Sequence, residues 1–284
     1  MERDLSELLE EWPYETGQIT VRVIDGVDGN PRIQVRLDLG LLQLNTDGRP
    51  DGSRPHGFDS LLDYYESKID QDILDAEVQA IENEGEGDEP EEQYLEKTKF
   101  DEQEETHATE SRFLSPDDCR VLREEAQQYY HRYIAMLVLE DYEAVVRDTS
   151  RNMRVLNIFR DHAATSEDMN AMESHRPYIM MMRARSLASQ ALKAEENKAA
   201  IFAIDEGLES LKAYYDSIGQ SDLFEDSGEV SMLRDMRDTL IPKLPVSQRA
   251  ELRQRLEAAI ASENFELAAI LRDEIRMLGG RPGK

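Results

Sequence analysis

The residues through which this chain would act on a metal or a substrate are few and scattered. The five histidines, His56, His107, His131, His162 and His175, show none of the HxxxH or HExxH spacing that puts two imidazoles on one helix face. None stands at metal-ligand spacing from Cys119, the one cysteine, and structural zinc normally needs four convergent nitrogen or sulfur ligands. The expectation is no metal and no cofactor. The terminal GGRPGK is one residue short of the GxxxxGK phosphate loop and has neither a strand before it nor a helix after it. An enzymatic reading would rest on unmatched carboxylates alone, so no residue is assigned as catalytic and the protein is expected not to be an enzyme.

One loop has the composition of a ligand site. NTDGRPDGSRPHGFDS, residues 45 to 60, brings Arg49, Arg54 and His56 together among glycines and prolines. Asp47, Asp51 and Asp59 cancel that charge, and glycine and proline at this density first of all mean consecutive turns. Turns are the favoured reading. A regulatory protein that binds a small ligand in this loop is the alternative.

Charge narrows the partners. The 284 residues include 61 acidic and 33 basic ones, a formal net charge of −28. Such a surface repels nucleic acid and anionic membranes, so neither is expected as a direct partner. A lone cysteine rules out a disulfide framework within one chain and fits a reducing compartment. The acidic N-terminus, MERDLSELLEEW, has no apolar core, and no run elsewhere approaches the ~18 apolar residues of a membrane span. A cytoplasmic protein is expected.

The elements that must position any site follow from periodicity. Leu5, Leu8, Leu9 and Trp12 mark one face of a short helix that Pro13 closes, poised to cover a sheet. Ile19, Val21 and Val23, then Ile33, Val35, Leu37 and Leu39, alternate with polar residues on either side of a DGVDGNP turn, which predicts a β-hairpin with one wet face. Gly40 shifts the apolar phase to Leu42 and Leu44, so a third strand is an open possibility. A helix beginning near Asp59 carries Leu61, Leu62, Tyr65, Ile69, Ile73 and Ala76 along one side. These elements make a small α+β domain over 1–81. Residues 82–112 follow as an acidic disordered linker, because thirteen carboxylates between 82 and 110 with few aliphatics bury too little area to offset chain entropy.

Ser115 before Pro116 reads as a capped helix start, and a helical domain is expected over 113–244. Its aromatic and methionine clusters, Tyr129, Tyr130 and Tyr133 with Met180, Met181 and Met182, fit core packing before they fit a peptide groove. Around Glu140-Asp141-Tyr142, and again through Leu187-Ala188, Ala191, Ala200, Ile204, Gly207 and Leu208, the sequence resembles tetratricopeptide repeats, with two of the expected aromatics replaced. The two turns stand further apart than the ~34-residue period of such repeats, so the likeness is to a degenerate pair. The fold class is therefore mainly α with a small α+β start.

Residues 246–280 form the most specific stretch. Leu252, Leu256, Ala259 and Ile260, then Phe265, Ala268, Ala269, Ile275 and Leu278, have the spacing of two amphipathic helices. Asn264 marks the break as the cap of the second, Glu266 falls in its positive first turn, and Gly279, Gly280 and Pro282 stop it. Leu267, Ile270 and Leu271 widen the apolar surface beyond what one partner helix covers, so a second surface is expected to meet it. The order Leu256, Phe265-Glu266, Ala268-Ala269, Leu271-Arg272-Asp273, Ile275 and Leu278 resembles the UVR motif, the helical hairpin by which UvrB and UvrC recognise each other. The resemblance implies that those ten residues bind a protein partner, such as UvrB, UvrC or a Clp-type ATPase, or a second copy of the chain. Phe265, the one aromatic of the hairpin, is the expected anchor.

Composition also makes a prediction about the 82–110 stretch. Limited proteolysis should cut there first, because the backbone of such a segment lacks protection. Mass mapping that finds the helical region cleaved while 82–110 survives would show that the boundaries are wrong.

Overall fold

Alternation of β-branched and polar residues gives three strands in the computed structural model, which describes residues 4–85, 114–240, 248–262 and 267–272. Thr20–Asp25 (β1), Pro31–Leu37 (β2) and Gly40–Asn45 (β3) pair antiparallel in the order β1-β2-β3. Val23 faces Ile33, and Ile33 faces Leu44. Gly40 pairs with Leu37, so the phase shift noted there is a tight turn and the third strand is real.

The expected wet face is wrong for the middle strand. Gln34 and Arg36 of β2 are buried beside Ile33 and Val35. Burial is tolerated because the polar groups are spent: Arg22 Nε donates to Gln34 at 2.8 Å, Gln34 donates to Gln43 at 2.9 Å, and Arg36 donates to the Trp12 carbonyl at 2.6 Å and the Gly40 carbonyl at 2.9 Å. The helix Ser6–Glu11 (α1) buries no residue of its own. Its following residue, Trp12, does the covering, with the Arg22 guanidinium 4.2 Å from its ring centre.

Helices account for the rest. Leu61–Gly85 (α2) runs past the expected boundary at residue 81, and the remainder of the expected linker lies outside the described residues. Pro116–Val138 (α3) starts as its sequence indicates: Ser115 Oγ accepts from Asp118 N at 3.2 Å, while the Asp118 carboxylate accepts from Ser115 N at 3.0 Å. Tyr142–His162 (α4), Ser166–Ala171 (α5), Arg176–Lys193 (α6), Asn197–Ser217 (α7), Leu223–Asp226 (α8), Gly228–Leu240 (α9) and Gln248–Ala261 (α10) follow. The α3–α4 and α6–α7 turns close alike. Glu140 and Glu195 sit at φ 57° and 61°, and the next N–H reaches back to Met136 at 2.9 Å and to Ala191 at 2.8 Å respectively. Helices α6 and α7 approach closely because Gly207 has no side chain; a Cβ there would lie 2.4 Å from that of Ala184. Tyr129, Tyr133, Met181 and Met182 are buried, so these clusters pack the core, with Tyr130 left partly exposed.

Met1–Met236 form one compact unit and Arg237–Lys284 a second. The first unit takes in the expected 1–81 domain and the expected 113–244 domain as far as Met236, and the two share a core. Leu61, Leu62 and Tyr65 of α2 pack with Cys119, Leu122 and Ala126 of α3 and with Val155 and Phe159 of α4. Tyr65 also donates its hydroxyl to Asp118. Burial alone would raise the Asp118 pKa, but the hydrogen bonds from Tyr65 and Ser115 outweigh it and hold it below its ordinary value of 3.8. This contact therefore adds stability above that value and loses it as pH falls through the depressed one.

A polar hub ties the same pieces together. The Glu125 carboxylate, wholly buried on α3, accepts from Arg49 Nε at 2.7 Å, from the Arg151 guanidinium, and from the backbone N–H groups of Leu61 and Leu62 at 2.8 and 3.3 Å. Glu125→Gln keeps the shape and removes the charge that two arginines need. Removing one member of a buried ion pair costs ~3–5 kcal/mol, and the midpoint of guanidinium unfolding should fall accordingly. A midpoint equal to that of the wild type would show that the hub contributes nothing.

Candidate interaction surface

The 45 to 60 loop turns out to be a clasp. Positive φ at Gly48, Gly52 and Gly57 provides its turns. Arg49 also bonds Asp51 at 2.7 Å and Ser53, and Arg54 pairs with Asp59 at 2.8 Å. His56, at φ 51°, stacks on Tyr64 with ring centres 4.2 Å apart. From the helices, Arg132 Nη1 donates to the Gly48 carbonyl at 2.7 Å, and Arg147 donates to the Thr46 carbonyl and the Asp47 carboxylate, each at 2.9 Å. The three groups on which the ligand reading depended are thus engaged within the fold. Of two open grooves, of about 480 and 390 Å³, the second borders the loop at Thr46 and Asp47, and neither is lined by Arg49, Arg54 or His56.

Other chemistry is equally muted. Burial pushes the Cys119 thiol up to about 11, so it is protonated at neutral pH. Burial also lowers the His131 pKa, favouring the neutral imidazole. Among the described residues no three or more histidines, cysteines or carboxylates converge on a metal position, and no helix is long and apolar enough to cross a membrane.

The hairpin builds its core from a narrow stripe. Leu252 and Ala259 of α10 pack with Ala268 and Leu271 of the helical residues 267–272, and Leu256 borders them half-buried. Helix α10 is followed by Ser262, whose hydroxyl donates to the carbonyls of Ala258 and Ala259 at 3.0 and 3.1 Å. Other described members of the expected apolar set face outward: Ile260 is 53% exposed, Leu267 38% and Ile270 64%.

The ten residues expected to bind a partner therefore separate. Ala268 and Leu271 are buried inside the hairpin and Leu256 is half-buried, while Ala269 and Arg272 are exposed. Phe265, Glu266, Asp273, Ile275 and Leu278 lie outside the described residues, as does the expected cap Asn264. Two expectations need correcting. Ala268 and Ala269, both placed in the apolar spacing, do not share a face, because adjacent positions point about 100° apart and only Ala268 turns inward. The outward apolar residues are Leu267 and Ile270, at i and i+3, with Leu271 turned into the core. Ile260, which the spacing groups with Leu252, Leu256 and Ala259, is exposed, while those three pack the described core.

The hairpin core has few members, so each should matter. Truncating Leu271, 2% exposed, to alanine typically costs ~2–5 kcal/mol. Hydrogen exchange should then speed up through residues 252–262 and leave the amides of β2 as protected as before; equal exchange in both regions would mean that the hairpin core is not a separate one.

Residues 247–280 match the family model of the UvrB/uvrC motif, UVR. No curated protein and no solved structure matches the chain. The matched segment covers α10 and the helical residues 267–272, which is where the buried Leu252, Ala259, Ala268 and Leu271 meet. This is a UVR-motif-containing protein, with the motif at its C-terminal helical hairpin.

Proposed function

We propose that the protein is a non-enzymatic cytoplasmic adaptor that uses its UVR hairpin to hold a protein partner. The observation that carries this reading is the outward apolar set Ile260, Leu267 and Ile270, which stands apart from the residues that pack the described part of the hairpin core, Leu252, Ala259, Ala268 and Leu271. Solvent-facing aliphatics grouped on a small helical unit mark a contact surface. The match to the UvrB/uvrC motif supports a protein partner, and the reading takes it to be UvrB, UvrC or a Clp-type ATPase, or the hairpin of a second copy. Helices α3–α4 and α6–α7, each joined by the same left-handed glutamate turn, serve as a tetratricopeptide-like scaffold for the N-terminal sheet.

Tagged full-length protein, its Ile270→Asp variant and its Phe265→Ala variant, used as bait in lysate and examined by sedimentation, test the reading. Ile270 is exposed, so the aspartate should leave circular dichroism unchanged while partner capture or self-association falls at least tenfold, as expected for an interface anchor. Capture of UvrB, UvrC or a Clp-type ATPase, or a dimer, lost in both variants supports the proposal. Undiminished association in the Ile270→Asp variant removes the outward face from it.

A further inference from the structure

Helix α2 carries another exposed apolar surface, far in sequence from the hairpin. Its first turns are buried through Leu61, Leu62 and Tyr65. Beyond them Leu74, Val78 and Ile81 recur at i, i+4 and i+7 and are 55%, 52% and 71% exposed, with Ile73 nearby at 43%. That spacing draws one stripe along the helix, and from Ile69 to Ile81 the helix extends roughly 18 Å at 1.5 Å per residue. Contiguous exposed aliphatics of this kind are costly in water unless something covers them.

The charges beside the stripe say what covers it. At 100° per residue, Asp70 and Glu77 border it on one side and Asp75 on the other, and all three are exposed. From Ile69 to Gly85 the sequence has six carboxylates and no lysine or arginine, and eleven carboxylates against two lysines follow from 86 to 110. A second copy of α2 laid on this face would set rows of carboxylates opposite each other, and an anionic membrane or a nucleic acid would be repelled. A helix with aliphatics on one side, flanked by lysine or arginine, meets both requirements, with the aliphatics packed in the seam and opposite charges at its edges.

We propose that the outer half of α2, centred on Leu74, Val78 and Ile81, is a docking face for a cationic amphipathic helix of a partner protein. The long acidic stretch that follows raises the local concentration of such a segment, and the apolar stripe fixes its register. This site is independent of the hairpin, so the chain would bridge two proteins at once.

The probe is a fluorescent lysine–leucine peptide of about five helical turns with leucines at i, i+3, i+4 and i+7. Its affinity for the full chain is measured by anisotropy beside that of a scrambled peptide and a glutamate-for-lysine peptide. Leu74→Gln with Val78→Gln removes the stripe at exposed positions and keeps good helix formers. Asp70→Lys with Glu77→Lys reverses its edge and keeps the aliphatics. The expected result is at least tenfold weaker binding of the patterned peptide by either variant, at least tenfold weaker binding of the scrambled peptide by the wild type, and gain of the glutamate peptide by the charge-reversed variant. Equal affinity for patterned and scrambled peptides, or for wild type and the glutamine variant, would overturn the proposal, since diffuse charge alone would then explain the binding. So would a wild-type dimer, lost in the glutamine variant, in a chain that takes up no peptide.

Discussion

The wholly buried carboxylate of Glu125 is the constraint from which the larger unit is assembled. A carboxylate out of water is tolerated only if its oxygens are filled, and here two arginines and two backbone N–H groups fill them. The backbone donors belong to Leu61 and Leu62, the first residues of α2, whose N–H groups have no partner within their own helix. A side chain on α3 thus completes the start of α2 and meets its positive end. Arg49 brings the clasp loop to the same carboxylate, and Arg151 brings α4. Next to it Arg132 holds Asp148 through two bonds, at 2.7 and 2.8 Å, and both Arg132 and Arg151 lie over the ring of Tyr129. Such a cluster supplies little net energy compared with apolar packing of the same volume. It specifies one arrangement of loop, sheet and helices.

That dependence explains what the sequence did and did not make legible. Elements governed by local period or local chemistry could be read directly: the alternation of β1 and β2, the Ser115-Pro116 start of α3, the glycine-rich turns and the hairpin with its motif. The joining of the sheet-bearing segment to the helices could not. Arg49 and Glu125 are 76 positions apart and on either side of an acidic stretch, and neither has a periodic signature that names the other. The same holds for Arg36 and Gln34, whose polar character suggested a wet face. Their burial depends on partners such as the Trp12 carbonyl, which alternation along β2 does not reveal.

At the hairpin the motif was legible, but the direction of its residues was only partly so. A family pattern records which positions are constrained, and a core position is constrained as strongly as a contact position. Ala268 and Leu271 are constrained by packing, whereas Leu267 and Ile270, less prominent in the pattern, face outward. Spacing of three and four separates these sets only when the buried arc is known, and a helix of this length offers more apolar residues than one neighbour can cover.

The hairpin's small core also bears on how it would work. Among the described residues its core has four buried members with Leu256 beside them, and units of this length gain little stability from their own core. A partner that covers Ile260, Leu267 and Ile270 would add apolar burial comparable in kind to what the hairpin has already. Because such a partner binds the folded hairpin and not the unfolded one, its affinity appears in part as hairpin stability. Folding and recognition are then two readings of one equilibrium. The larger unit, with its filled carboxylate hub and continuous core, is under no such requirement and can remain folded whether or not the hairpin is occupied.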